Sequence, residues 1–218
     1  LTLEKKVIGF YLSGHPIKEY QDEINSMSIK SIASYFEKLY SSDIDDDFSE
    51  HGTISGVITS IRSQRMGKDK FINILTVDDS THRLEIILFS DVYEKYRNLI
   101  KENEILFFSG VIAMDDYNGD LSMKATKVID MDSARQQYSK EIELFILPEH
   151  VNDNILAKIV SLLEPHKNGK CPLTIKCLSN QHIVPLELNS EWLINPSSAL
   201  VNGLTDLLGK ENIIVKYE

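Results

Sequence analysis

The stretch from His51 to Asp132 constrains this chain more than any other, because its hydrophobic period changes in a fixed succession. Thr53 to Gln64 mixes β-branched and small residues, as a long barrel strand does. Phe71 to Val77 reads as a second strand, and Asp78-Asp79-Ser80-Thr81 turns it into a third, Arg83 to Phe89. Side chains in a strand repeat every second residue, so Leu84, Ile86 and Leu88 share one face. Ser90 is placed to cap a helix whose stripe is Val92, Tyr93, Tyr96, Leu99 and Ile100. Ile105 to Met114 and Leu121 to Ile129 form a hairpin, with Asn118-Gly119 at a tip that tolerates positive φ.

Three strands, a helix and two more strands is the order of an OB-fold, a five-stranded barrel that often binds single-stranded nucleic acid. The expected fold class is therefore mixed: a short helical N-terminal segment, the barrel, then a small α+β domain. Residues 1–50 hold the helical segment and an acidic linker, with helices over 2–12, Ile17 to Met27 and Lys30 to Leu39. The linker, Ser41 to Glu50, carries Asp43, Asp45, Asp46, Asp47 and Glu50 with little apolar material to bury. Residues 51–132 are the barrel. Residues 133–218 read β-α-β-β-α-β, which matches a split-βαβ sandwich. Its strands are Glu141 to Leu147, Lys170 to Leu178, His182 to Leu188 and Ile213 to Tyr217. One helix carries Ile155, Ile159 and Leu163; the other starts at Asn195-Pro196 and buries Leu200, Leu204 and Leu208.

Charge limits the partners. The net charge of −10 opposes attraction to a polyanion as a property of the whole chain. The barrel stretch itself holds ten Lys and Arg against thirteen acids, so any nucleic-acid surface must be local. No apolar run approaches the ~18 residues of a membrane span, and no membrane partner is expected. Cys171 and Cys177 fall in one expected strand roughly 20 Å apart, too far to pair, which suits a reducing, cytoplasmic setting. The chain opens on Leu1 rather than methionine, which reads as a fragment of something longer.

The local basic signal lies between the first two strands. Arg62, Arg65, Lys68 and Lys70 fall within nine residues, with Phe71 beyond them. Strand 3 adds Arg83 and Phe89 opposite its core row, and the loop after strand 4 adds Tyr117, with Lys124 and Lys127 on the next strand. Cations to meet phosphates and aromatics to stack bases are what single-strand binding requires. A pure protein-interaction module whose barrel binds no nucleic acid is the alternative reading. Carboxylate pairs at Asp78-Asp79 and Asp115-Asp116 lie in hairpin turns, where aspartate is favoured for local hydrogen bonds. No zinc spacing, phosphate loop or nucleophile elbow occurs, so no catalytic site, metal or cofactor is expected of these residues. In the last domain, Trp192, Leu193 and Ile194 stand side by side; tryptophan favours the centre of a binding surface, and the competing reading is that Trp192 fills the core beneath the helix at Pro196.

The string from Glu4 to Pro16, with Gly9-Phe10-Tyr11-Leu12-Ser13-Gly14-His15-Pro16, resembles the alpha subunit family of bacterial DNA polymerase III. So does Thr76-Val77-Asp78-Asp79, followed by Leu84 to Phe89 and Val92-Tyr93-Glu94-Lys95-Tyr96, although His82 stands where that family has a turn glycine. Beyond Ser133 the likeness is architectural. The resemblance implies a C-terminal fragment of a DNA-directed DNA polymerase whose catalytic domains lie upstream. It implies single-stranded template binding by the barrel, docking of the clamp-loader tau subunit by the last domain, and other replisome subunits as partners.

Overall fold

The computed structural model describes residues 15–41, 48–66, 70–115, 119–148, 154–179 and 182–217. The helix expected over residues 2–12 and most of the acidic linker lie outside them. The chain divides into two compact units, residues 1–130 and 131–218.

The first unit is built on a closed barrel in the order β1-β2-β3-β5-β4, with β1 Ser49–Met66, β2 Lys70–Asp78, β3 Arg83–Phe89, β4 Ile105–Met114 and β5 Leu121–Ile129. The last three match their expected limits. β1 is longer than its apolar pattern because it serves two neighbours. Its first half pairs with β4 and its second half with β2, across an irregularity between Ile58 and Ser60 that lets it turn the corner. A parallel pairing of Glu85–Ile87 with Ser122–Lys124 closes the barrel. Leu84, Ile86 and Leu88 point inward with Ile54, Ile58, Leu75, Val77, Phe108, Ile112 and Met123.

The helical segment belongs to this same core. A 3-10 turn, Pro16–Glu19, leads into α1 (Gln21–Ser26) and α2 (Ile32–Ser41), shorter than the continuous helix expected from Ile17 to Met27. Ile32 and Tyr35 of α2 are buried among the barrel residues. Gly52 makes that possible: any side chain there would occupy the place of the Tyr35 hydroxyl. The β2–β3 turn holds the helix start. One Asp79 oxygen accepts from the Ile32 amide at 2.7 Å, and the other accepts from the Thr81 amide, the Thr81 hydroxyl and the His82 amide. A buried carboxylate with that many donors fixes both the turn and the helix.

His15 completes the joint. Its Nδ1 accepts from the Ile17 amide, capping the 3-10 turn, while Nε2 faces Asp78 Oδ1 at 3.2 Å. Burial holds the imidazole below its ordinary pKa despite the pull of Asp78 and Asp79. Burial pushes the Asp78 carboxyl up, but hydrogen bonds from Arg83 and the Ser80 amide, with the charges of His15 and Arg83, bring it below its ordinary value.

The helix after β3, α3 (Ser90–Tyr96), differs from expectation at its start. Phe89 is the N-cap, and the Ser90 hydroxyl donates to the Phe71 carbonyl at 2.6 Å instead of capping. That bond ties α3 to β2.

The second unit begins with α4 (Met131–Tyr138) and carries a four-stranded sheet in the order β10-β6-β8-β9. Its strands are β6 Ser139–Ile146, β8 Leu173–Ser179, β9 His182–Glu187 and β10 Ile213–Tyr217, with a short β7, Lys167–Cys171, before β8. The expected split-βαβ arrangement is not formed. β6 and β8 pair directly and in parallel, and β9 lies outside them. Pro185 in β9 gives the reason: without an N–H it weakens a strand between two neighbours and is tolerated at an edge. Pro172 likewise breaks the single strand expected from Lys170 to Leu178, so Cys171 and Cys177 sit on different strands; both thiols are free.

Helices α5 (Ile155–Leu163) and α6 (Ser198–Leu208) bury the expected stripes against the sheet. The cap of α6 is Ser197 rather than Asn195, with its hydroxyl accepting from the Leu200 amide. Asp132 of α4 accepts from the Ser198 amide at 2.7 Å, and the buried Arg135 donates to the Ser198 hydroxyl at 2.6 Å. Among the described residues no helix is long and apolar enough to cross a membrane.

Candidate nucleic-acid interface

The outer face of β2 and β3 is apolar over Ile72, Ile74, Ile87 and Phe89, where a barrel exterior is ordinarily polar. With Leu84, Ile86 and Leu88 inward, Arg83, Glu85, Ile87 and Phe89 must point out. Ile72 pairs with Phe89 and Ile74 with Ile87, so the outer row of β2 continues the same surface. Two depressions meet on it. One, of about 690 Å³, is lined by residues including Met66, Phe71, Phe89 and Val92. The other, of about 480 Å³, is lined by residues including Arg62, Ile74, Glu85 and Ile87. Met66, Ile72, Phe89 and Lys124 line both, so they form one continuous groove.

The structure brings some of the expected residues together there and leaves others out. Phe71 and Phe89 are 51% and 44% exposed, and both line the groove. Lys124 reaches the groove from β5 and makes no ion pair among the described residues. Arg62 lines it too, but its Nη2 donates to both Glu85 oxygens, at 2.7 and 2.8 Å. Arg65 is exposed opposite Phe71 in the β1–β2 pairing, and Lys70 stands opposite Met66. Lys68 and Tyr117 lie outside the described residues. Asp78 Oδ2 accepts from Arg83 Nε at 2.9 Å, and Arg83 lines a neighbouring hollow of about 250 Å³ beside Phe36 and Asp120, which shares Glu85 and Ser122 with the groove. Lys127 lies beyond a β5 irregularity and lines neither depression of the groove.

Sequence reasoning missed Met66, Ile72, Ile74, Ile87 and Val92. A signal was available, because Phe71-Ile72-Asn73-Ile74-Leu75 is apolar on both parities, and a barrel strand needs only one. The groove's own charges are Arg62 and Lys124 against Glu85, Asp91 and Asp115. The groove lining itself therefore carries no cation surplus. Asp78 and Asp79 are occupied in the turn, and among the described residues no cluster of three or more His, Cys, Asp or Glu could hold a metal ion.

The expected docking residues of the second unit are arranged differently. Ile194 is fully buried and bridges Lys167 and Cys171, so it belongs to the core and not to a surface. Gly169 permits this approach, since any side chain there would meet the Ile194 backbone. Trp192 packs part-buried against the same core, with the Lys167 ammonium 3.5 Å above its ring. Leu193 is half-buried, its carbonyl accepting from the Gly169 amide at 2.9 Å. Exposed apolar side chains of this unit lie elsewhere, at Leu156 and Val160 of α5 and Ile183, Val184 and Leu186 of β9.

Residues 53–131 match the family described as OB-fold nucleic acid binding domain, and residues 158–209 match DNA polymerase III subunit alpha, C-terminal domain. Over 218 residues, 99% of this chain, it is 30% identical to the DNA polymerase III subunit alpha of Escherichia coli K12. Over 214 residues it is 27% identical to that of Vibrio cholerae. The chain spans 18% of the length of each of these relatives. Among solved structures, a single-stranded DNA binding protein of Mycobacterium smegmatis is 16% identical with a TM-score of 0.34, covering 39% of this chain and 92% of that one. The second OB-fold domain of replication protein A from Methanococcus maripaludis is 16% identical with a TM-score of 0.32, covering 38% and 84%. At those scores the likeness adds nothing to the strand order read from the hydrogen bonds.

Proposed function

We propose that this chain, similar throughout to the C-terminal region of DNA polymerase III alpha subunits, binds single-stranded DNA in the groove across β2 and β3. The observation that carries the reading is the pair of exposed rings, Phe71 and Phe89, above an apolar floor with Lys124 at its wall. Base stacking tolerates any sequence, and the cations of the β1–β2 hairpin, Arg65, Lys68 and Lys70, supply the phosphate contacts. In a replicase this module holds template while chemistry proceeds upstream. The 218 residues have no catalytic role of their own in this reading. The second unit is the docking domain, with the clamp-loader tau subunit as its partner by family analogy. Its surface lies outside Ile194, which is core.

Binding is weak, because the surroundings are acidic; non-specific affinities are typically ~10⁻⁴–10⁻⁶ M. With about four phosphate contacts at ~0.7 each, log affinity falls against log salt with a slope near roughly −3. Fluorescence anisotropy of a labelled oligonucleotide tests this with the full chain. Changing Arg62, Arg65 and Lys68 together to glutamate removes most of the binding. Equal titrations for wild type and the triple variant would favour a barrel that serves protein contacts only.

A further inference from the structure

We infer that Glu85 stands in for a DNA phosphate in the free protein, holding Arg62 over the groove until a phosphate displaces it. The inference rests on the single-strand reading above and assigns its regulation.

Arg62 pairs with Ile74 on β2, and its guanidinium reaches past β2 to Glu85 on β3. The cation therefore lies across the groove floor, and both partners line the groove. One nitrogen meets both carboxylate oxygens, at 2.7 and 2.8 Å, a looser contact than the two parallel bonds from two nitrogens that a guanidinium makes with a phosphate. The side chains are 54% and 41% exposed, so water screens the pair and its loss costs little. A competing phosphate can take Arg62 without unfolding anything.

The second pair on this face shows what a structural pair looks like. Asp78 holds Arg83, but it also accepts from the Ser80 amide and faces His15, and its side chain is 15% exposed. Asp78 is built into the turn by those contacts, whether or not it holds Arg83. Glu85 accepts from no group but Arg62 among the described residues. Its carboxylate also sets a negative charge in the path of a polyanion, beside Asp115 at the rim. Free protein is thus guarded against loose polyanion binding, and strand entry exchanges one anion for another.

Oligonucleotide anisotropy over a range of salt tests the exchange with the full chain and three variants: Glu85→Gln, Arg62→Gln and the double change. Glu85→Gln is expected to bind about three- to tenfold tighter at low salt, with the salt slope steeper by ~0.7 for the cation released. Arg62→Gln alone weakens binding by less than about twofold, because Glu85 already occupies that cation. The double variant loses the gain. Glu85→Ala, which removes the carboxylate differently, repeats the test should the glutamine variant fold poorly. Tightening that persists in the double variant would overturn the exchange and leave only the loss of a charge. Unchanged affinity and slope in Glu85→Gln, with binding still lost in the triple glutamate variant, overturns the exchange and spares the DNA reading. No binding by wild type or by either Glu85 variant overturns both.

Discussion

In the barrel, two phenylalanines stand about half exposed over an apolar floor; in the second unit, the only tryptophan lies against the core beneath a lysine. Hydrophobicity alone would arrange them the other way, with phenylalanine more often inside and tryptophan more often at a surface. Position in the pleat decides instead. Phe89 follows Leu88 at the end of β3 and so falls on the outer row, while Phe71 stands at the open end of β2. Trp192, Leu193 and Ile194 are held by a neighbouring backbone: Gly169 lets the segment close against β7, and the isolated bridges to Lys167 and Cys171 fix Ile194 in the core. The barrel therefore leaves two rings half open, and the second unit draws Ile194 into its core while Trp192 and Leu193 stay part-buried.

The largest effect separating the two is on stability. Ile194→Ala removes a fully buried side chain and is expected to cost about 2–5 kcal/mol of the second unit's stability. Trp192, the sole tryptophan, reports it as an earlier fluorescence transition in urea. A loss below about 0.5 kcal/mol, the range of ordinary surface changes, would return Ile194 to the surface and remove the contrast.

Phe71→Ala and Phe89→Ala should show the opposite profile. Each ring is half exposed, so stability changes by less than about 0.5 kcal/mol. Each ring that stacks a base contributes about 1–3 kcal/mol to binding. Affinity for an oligonucleotide should therefore fall by about fivefold or more for each change, at constant salt slope. If either variant is destabilised strongly and binds normally, that ring is packing and not a platform.

Much of this was legible beforehand where one face of a strand is buried and the other is wet. Leu84-Glu85-Ile86-Ile87-Leu88 shows its inward row at once, and β3, β4, β5 and β10 begin and end where their patterns do. What stayed hidden is pairing between distant segments. Asp79 reads as a turn residue, which it is, yet its second oxygen serves Ile32, 47 residues away. The order β-α-β-β-α-β is common to several sheets, and only Pro185 marks β9 as an edge. The loop cations were visible as a cluster, but their neutralisation was not. Glu85 reaches Arg62 only after three strands have come into register, whereas Asp78 meets Arg83 across the β2–β3 turn.

The smallest expected effect sharpens the comparison through pH. In the barrel unit, burial lowers the pKa of His15 from the ordinary 6.5 more than Asp78 and Asp79 raise it, and Lys18 adds to the lowering. The unfolded chain then binds more protons than the folded one as pH falls through that range, so stability rises with pH. The increment is complete above about pH 6.5 and is lost as pH falls toward the lower folded value. In the second unit the perturbed acids are Glu141 and Glu143. Hydrogen bonds from Thr174 and Lys216 hold the first below the ordinary 4.5, and those from Lys176 and Lys216 hold the second. Their increment is present above 4.5 and is lost only as pH falls through the lower folded values. Between these limits the barrel should weaken while the second unit does not. Urea unfolding at pH 7 and about pH 5.5 checks this, with Trp192 fluorescence following the second unit and amide exchange in β2 and β3 following the first. His15→Gln keeps an N–H for Asp78 without a titratable ring, and should remove the barrel's dependence over that interval. A Trp192 transition that moves while the barrel amides hold would reverse the assignment of the two pH windows.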